Sequence, residues 1–477
     1  MRVLIFGLGL NEGGVGSARF FAKKGDSVRV TDLKSDADLK PSLDALSDFT
    51  NIEYTLGEHK FEDIDWADLI IKNPAVKPEN PYIEHALKNG KKVETDMGIF
   101  LEYVKPSQII GVTGTKGKST VASLIYEVLS KHQADTPGVE SKVKSGSHTG
   151  SELLLAGNIG KSVLDTVEHI KPDTLVILEI SSFQLEAFGE KRLSPKWAVI
   201  TNIYPDHLNY YENMEEYMQS KKLIAKHQSK DDFLFIRKND PVVDTRKFLG
   251  GIKSRIVRFS SNDLSENFKP TLQGKHNLEN IAAALAVTKV FDIPEDETLK
   301  TLSNFKGVEF RMQLVYDKDG IKIYNDTTAT TPEASIQSLE TLHNLRSHME
   351  SGNSDRRIVL ITGGMNKNLN YTKYTTAVSN FVKELFFLEG DATDLIISSL
   401  RKTTSHLRGE HEVTPDHTLT IHGPYNNLSH VLKNVRSIVK KGDVVLFSPA
   451  ATSFNLFQNE FERGRKFNEA VGKIFNG

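Results

Sequence analysis

The chain has 477 residues, with 60 Lys and Arg against 62 Asp and Glu and a net charge of −2. That near-neutral balance lacks the basic footprint a nucleic-acid partner requires. The absence of cysteine rules out disulfides, thiolate metal sites and a cysteine nucleophile.

The length points to about three domains, and a 38% hydrophobic share gives each of them a core. No run of about 18 apolar residues is present, so no membrane span is expected. The first residues run into a glycine turn without a long apolar stretch or cleavage site, so a cytoplasmic protein is expected.

Residues 3–6 read as a buried strand, followed by Gly7-Leu8-Gly9-Leu10, a helix over 17–24 and a second strand over 27–31 ending at Asp32. This is a βαβ start. It admits a dinucleotide-binding reading with Asp32 on a ribose, and equally a tight strand–helix turn with no ligand, because Asn11-Glu12-Gly13-Gly14 interrupts the third-glycine spacing and widens the loop. Another strand, 67–71, stops at Asn73-Pro74.

The most informative stretch is Gly111-Val112-Thr113-Gly114-Thr115-Lys116-Gly117-Lys118-Ser119-Thr120. A strand end at 108–110 precedes it, and Val121, Leu124, Ile125, Val128 and Leu129 follow at helical spacing. Strand, glycine loop and helix start together make a phosphate cradle of backbone N–H groups. Lys118 would reach the outer phosphates and Ser119 would offer its hydroxyl to Mg²⁺.

Residues 131–153 are polar and Gly/Ser-rich and read as an exposed loop. Gly157-Asn158-Ile159-Gly160 then precedes a helix. A strand over 174–178 delivers Glu179, placed either to hold Mg²⁺ or to be held by backbone N–H groups. A strand over 197–203 delivers Asp206-His207, and the helix after it carries Tyr217 and Lys221-Lys222. Asn277 and Asn280 share one face of an Ala-rich helix, where they meet a base or ribose or cap the helix.

In the last third, strands over 321–324, 356–364 and 443–451 alternate with helices, one opened by Pro332-Glu333 and a last one over 454–470. The alternation predicts parallel sheets throughout.

These segments together resemble the Mur ligases, the ATP-dependent amide-forming enzymes of peptidoglycan precursor synthesis. The resemblance rests on the phosphate loop, Glu179-Ile180-Ser181-Ser182-Phe183-Gln184-Leu185, Asp206-His207-Leu208, Tyr217 with Lys221, Gly274-Lys275-His276-Asn277, Glu309-Phe310-Arg311, Asn325-Asp326, Ser448-Pro449-Ala450 and Arg463-Gly464. The Ser-Ser-Phe-Gln-Leu run and the closing Ser-Pro-Ala segment point to the glutamate-adding branch.

The resemblance implies an α/β protein of three domains: a Rossmann-like UDP-binding domain (1–105), a central P-loop mononucleotide-binding domain that takes ATP (106–306) and a Rossmann-like glutamate-binding domain (307–477). It implies a monomeric enzyme that activates the carboxylate of UDP-N-acetylmuramoyl-L-alanine as an acyl phosphate and joins it to D-glutamate. L-glutamate remains open, because a related branch adds it.

Carried over residue by residue, Gly114, Thr115, Lys116, Gly117, Lys118, Ser119, Thr120, Asn277, Asn280, Arg311 and Asp326 would hold ATP. Ser119, Glu179, His207 and a carbamylated Lys221 would hold Mg²⁺, and Lys118, Glu179, His207 and Lys221 would be catalytic. Leu10, Asn11, Asp32, Leu33, Lys34, Asn73, Asn158 and His207 would hold the UDP-sugar. Thr330, Lys367 and Ser453 would hold glutamate.

Thr328 stands where the family usually has a lysine, which keeps a catalytically impaired nucleotide-binding relative in view. A folylpolyglutamate-type ligase would share the phosphate loop, but has no need of the first 105 residues.

Overall fold

The computed structural model describes all residues except 11, 136–151, 158–161, 207–209, 273, 348–357, 367–368, 408–418, 453–455, 458 and 477. The chain forms two compact units, Met1–Phe305 and Lys306–Gly477.

The first unit holds two sheets. One comprises β1 (Arg2–Phe6), β2 (Ser27–Asp32), β3 (Ile52–Leu56), β4 (Leu69–Lys72) and β5 (Lys92–Glu94), in the order β3-β2-β1-β4-β5. All pairings are parallel, and the connection reverses direction beside β1, which pairs with β2 on one side and β4 on the other. Such a switch point opens a crevice at the carboxyl ends of the strands. Val3 to Phe6 are buried, the continuous apolar run that a central parallel strand needs.

The other sheet comprises β6 (Ile109–Thr113), β7 (Leu153–Gly157), β8 (Leu175–Glu179), β9 (Trp197–Ile200), β10 (Phe233–Arg237) and β11 (Arg255–Phe259). Its order is β11-β10-β9-β6-β8-β7, again all parallel. One face packs on the helices Lys118–Asp135 and Lys275–Lys289 through Val121, Ile125, Ile281 and Ala284. The opposite face shares a core with the first sheet, since Ile109, Leu178 and Ala198 cluster with Val3, Ile5 and Val30.

The second unit has one sheet: β12 (Gln313–Lys318), β13 (Ile321–Asn325), β14 (Ile358–Gly363), β15 (Val382–Leu388), β16 (Thr420–Tyr425) and β17 (Val444–Phe447), in the order β12-β13-β17-β14-β15-β16. Here the expectation of parallel pairing throughout fails, because β12 runs antiparallel to β13. The tight connection is Asp319-Gly320, with φ of 56° and 72°, the doubly left-handed geometry that favours an Asp-Gly hairpin.

Other expectations need correction. The first helix spans Glu12–Lys23, so Gly13 and Gly14 belong to its first turn and do not widen the loop. A Cβ on Gly14 would meet the Leu8 carbonyl oxygen at 2.2 Å, so glycine there lets the helix start press on the strand exit. The helix Lys118–Asp135 takes in residues 131–135 of the expected loop, and 136–151 lie outside the described residues. The helix expected after Gly160 is a 3-10 turn, Val163–His169. β9 ends at Ile200, three residues early, and the final helix is Glu460–Phe475. No helix among the described residues is long and apolar enough to cross a membrane.

Two glycines test this packing in opposite directions. Gly14→Ala should lose roughly 1–3 kcal/mol through overpacking against backbone. Gly472→Ala, inside the final helix with nothing within 4 Å of the added carbon, should gain up to about 1 kcal/mol. Urea unfolding of both variants checks the contrast.

Candidate active site

Four strands of the second sheet end together. Val112 of β6 pairs with Glu179 of β8, Gly157 of β7 pairs with the same Glu179, and Thr113 pairs with Ile200 of β9. The loops leaving these ends therefore meet at one edge of the sheet, where helix N-termini and loop amides favour an anion.

The phosphate loop is braced from the side by the residues after β9. Thr115 donates its backbone N–H to the Asn202 carbonyl at 2.9 Å. Lys116 N–H donates to Asn202 Oδ1 at 2.9 Å, and Asn202 Nδ2 and Thr201 Oγ1 return hydrogen bonds to the Lys116 carbonyl at 3.0 and 2.6 Å. Tyr204 N–H donates to Thr115 Oγ1 at 3.0 Å, and the Tyr217 hydroxyl lies 3.2 Å from that oxygen.

Both loop glycines are required. Gly114 has φ 146° and its Cβ would meet Thr201 Oγ1 at 2.0 Å; Gly117 has φ 85° and its Cβ would meet Asn280 Oδ1 at 2.4 Å.

Lys118 and Lys221 converge on one acceptor. Lys118 Nζ donates to the carbonyls of Gly114 and Thr115, each at 3.1 Å, and Lys221 Nζ donates to the Gly114 carbonyl at 2.9 Å. Lys221 is 2% exposed, with its ammonium 4.8 Å over the Tyr217 ring. Burial, and then the neighbouring Lys118 charge, pull its pKa down to about 7, while Asp206 works against them. Lys222 points elsewhere, to the Gly250 carbonyl at 2.8 Å, so Lys221 is the lysine delivered to the loop.

Ser119 and Glu179 are buried at the same edge, oxygen donors of the kind a hard cation prefers. Among the described residues no group of three His, Cys, Asp or Glu side chains could hold a metal unaided. The residues present suit a cation that takes part of its coordination from phosphate. His207 lies outside the described residues.

Asn280 lies against Gly117 and donates to Asn277 Oδ1 at 3.2 Å. The N-cap of that helix is Gly274, which has no side chain to bond the first turn.

At the edge of the first sheet, Asp32 accepts Gly9 N–H on Oδ2 at 2.8 Å and Lys34 N–H on Oδ1 at 2.9 Å. It locks the glycine turn to the turn after β2. Leu33 is 67% exposed, Lys34 is exposed and Leu10 half-buried beside them. Asn73 joins this edge by donating its N–H to the Phe6 carbonyl. Asn11 and Asn158 lie outside the described residues.

The second unit builds its own cluster around Asp326. This carboxylate is buried and accepts from Ser338 Oγ (2.6 Å), Ser448 Oγ (2.9 Å) and Met312 N–H (3.1 Å). Burial raises its pKa to about 6 against those hydrogen bonds. Thr328 donates through both Oγ1 (2.8 Å) and N–H (3.2 Å) to the Phe310 carbonyl. Asp326 and Thr328 thus grip both sides of Arg311, which is exposed. Phe310, Met312 and Ala450 all hold positive φ of 64°, 44° and 55°, strain of the kind that gathers at functional sites.

Ala450 N–H donates to the Ala329 carbonyl at 2.9 Å, and Met365 and Thr452 exchange backbone bonds at 3.1 and 3.0 Å. The segment with half-buried Thr330 thereby meets the segments that lead to Lys367 and Ser453, which themselves lie outside the described residues.

Arg463 ties the cluster from below: 1% exposed, it donates to Thr327 Oγ1 and the Thr327 carbonyl at 2.8 Å each and to the Ala451 carbonyl at 3.3 Å. Burial lowers its pKa to about 9. Neither this tether nor the roles of Thr201 and Ser338 follow from local spacing, because their partners are distant in sequence. Arg463→Leu should cost about 3 kcal/mol by leaving buried carbonyls unmatched, read by urea unfolding.

Family models match two segments: the Mur ligase middle domain over residues 112–271 and the Mur ligase MurD-like N-terminal domain over residues 1–95. A UDP-N-acetylmuramoylalanine–D-glutamate ligase of Roseiflexus sp. is 34% identical, covering 98% of each chain. The enzyme of that name from Borreliella burgdorferi is also 34% identical, covering 99% of this chain and 98% of its own. Among solved structures, UDP-N-acetylmuramate-alanine ligase MurC of Thermotoga maritima superposes with a TM-score of 0.55 at 21% identity over 99% of both chains, a likeness of fold. On matches of this extent, the chain belongs to the Mur ligase family.

Proposed function

We propose that the protein is the ATP-dependent ligase that joins D-glutamate to UDP-N-acetylmuramoyl-L-alanine in peptidoglycan precursor synthesis. The observation that carries this reading is the match, over nearly the whole chain, to relatives bearing that enzyme name, joined to a phosphate loop beside which a neighbouring strand presents Glu179 and the helix Met214–Lys226 presents Lys221. Residues 1–105 take the UDP moiety, 106–306 the ATP and 307–477 the glutamate.

The chemistry asks for positioning and charge neutralisation. A carboxylate oxygen of the muramoyl-alanine attacks the γ-phosphorus of ATP; ADP leaves and an acyl phosphate forms. The amine of glutamate then attacks the acyl carbon, and inorganic phosphate departs as the amide forms.

Gly114 to Thr120 wrap the phosphates with backbone N–H groups, and Lys118 neutralises charge as it builds on the transferred group. Asn277, Asn280, Arg311 and Asp326 serve the rest of the nucleotide. Leu10, Asn11, Asp32, Leu33, Lys34, Asn73 and Asn158 serve the nucleotide-sugar, and Thr330, Lys367 and Ser453 serve glutamate. Ser119, Glu179, His207 and a carbamylated Lys221 hold Mg²⁺, which as a Lewis acid polarises phosphoryl oxygens when bound. The protein acts as a cytoplasmic monomer.

The environment of Lys221 supports carbamylation. The neutral amine adds to CO2 and releases a proton, leaving a carbamate oxygen ligand. With a pKa near 7, about half of the amine is neutral at pH 7, whereas an ordinary lysine would be almost wholly charged. Folding favours the neutral form, so by linkage stability should rise between about pH 7 and 10.5.

In 13C-bicarbonate, NMR should reveal a carbamate signal that grows through pH 7 and is missing from Lys221→Ala. That variant should also lose turnover, with partial recovery in a short-chain carboxylate. Undiminished activity would remove the carbamate from the mechanism. Phosphate release with ATP and UDP-N-acetylmuramoyl-L-alanine should require D-glutamate. Release with the L enantiomer alone would reassign the amino acid, and release with neither would favour an inactive nucleotide-binding relative.

A further inference from the structure

The helix Glu12–Lys23 and the 3-10 turn Val163–His169 touch more closely than side chains allow. A Cβ on Gly16 would fall 2.1 Å from Ser162 Cβ and 2.4 Å from its Oγ. Ser162 is buried and caps the turn by accepting Leu164 N–H at 3.3 Å. One helical turn along from Gly16, Arg19 Nη1 pairs with Asp165 Oδ2 at 2.7 Å, both side chains about three-quarters buried (22% and 26% exposed). Val15 and Ala18 share a core with Val163 and Leu164.

This seam joins the two sheets of the first unit. On its near side the helix begins just after the Gly7–Leu10 turn that Asp32 grips. On its far side the 3-10 turn follows β7, whose Gly157 lies so close to the Glu179 carbonyl that a Cβ would meet its oxygen at 2.0 Å. A glycine contact fixes the separation, and a directional ion pair fixes the rotation.

We infer that the Gly16–Ser162 and Arg19–Asp165 seam is a ruler: it sets the distance between the edge that takes the nucleotide end of the substrate and the edge where its carboxylate is phosphorylated. The inference rests on the function proposed above, in which one nucleotide-sugar spans both sheets. None of the four seam residues touches the substrate in this account; they are positioning residues. A ligand that must engage both edges at once gains about a hundredfold or more in affinity from the second contact, and loses it when the separation no longer allows both. A ligand confined to one edge would not register it.

Calorimetry on the full chain separates the cases with two probes, UDP alone and UDP-N-acetylmuramoyl-L-alanine. In Arg19→Met, Asp165→Asn and Gly16→Ala the Kd for UDP should stay within about twofold of the parent, while the Kd for the full substrate rises about tenfold or more. The exchange variant Arg19→Asp with Asp165→Arg should recover most of that loss. Arg19→Met and Asp165→Asn introduce no clash, so they carry the test if Gly16→Ala fails to fold.

Equal weakening of both probes would reduce the seam to general stability, and unchanged binding of both would remove the ruler. Failure of the parent chain to bind the full substrate would instead strike the proposed function.

Discussion

Lys118 and Lys221 come together on the carbonyl of Gly114, and the first unit is arranged to make that meeting possible. Two ammonium groups repel at this range unless an acceptor is shared or one is neutral. The loop supplies the acceptor because Gly114 adopts a backbone geometry closed to other residues. Burial beneath Tyr217 drives one lysine towards neutrality. The sheet behind it holds β6, β8 and β9 in register, so the loop, the Glu179 carboxylate and the bracing segment Thr201–Tyr204 arrive at one level.

The second unit reaches a comparable result by other means. Around Arg311, a buried carboxylate and a buried guanidinium gather its residues. Asp326 accepts from two hydroxyls and an amide, and Arg463 donates two hydrogen bonds to Thr327 and one to Ala451. Between them three non-glycine residues are held at positive φ. Strain of this kind persists only where its surroundings over-determine it. Thr328 has a clear task in that framework, since it holds the turn that presents Arg311.

Much of this was legible in the sequence where local pattern and physical requirement coincide. Apolar runs ending in Gly, Glu or Asn-Asp mark central parallel strands, and the spacing from Gly114 to Ser119 marks a helix start built for phosphate. The antiparallel β12 was missed because its half-buried, charged sequence lacks the signature of a central strand. The early start of the first helix was missed because glycine is a poor helix former. Only the close approach to Leu8 and Ser162 reveals why Gly14 and Gly16 stand there. The links made by Thr201, Ser338, Ser448 and Arg463 join positions far apart in the chain, so no local window contains them.

The phosphate loop and its buried surroundings hold Lys221 far below the ordinary lysine range, at about 7. An NMR titration of 13Cε-labelled lysine in CO2-free buffer tests it most directly. One resonance should titrate near pH 7 and be absent from Lys221→Arg. Titration of every lysine at or above about pH 10 would contradict it.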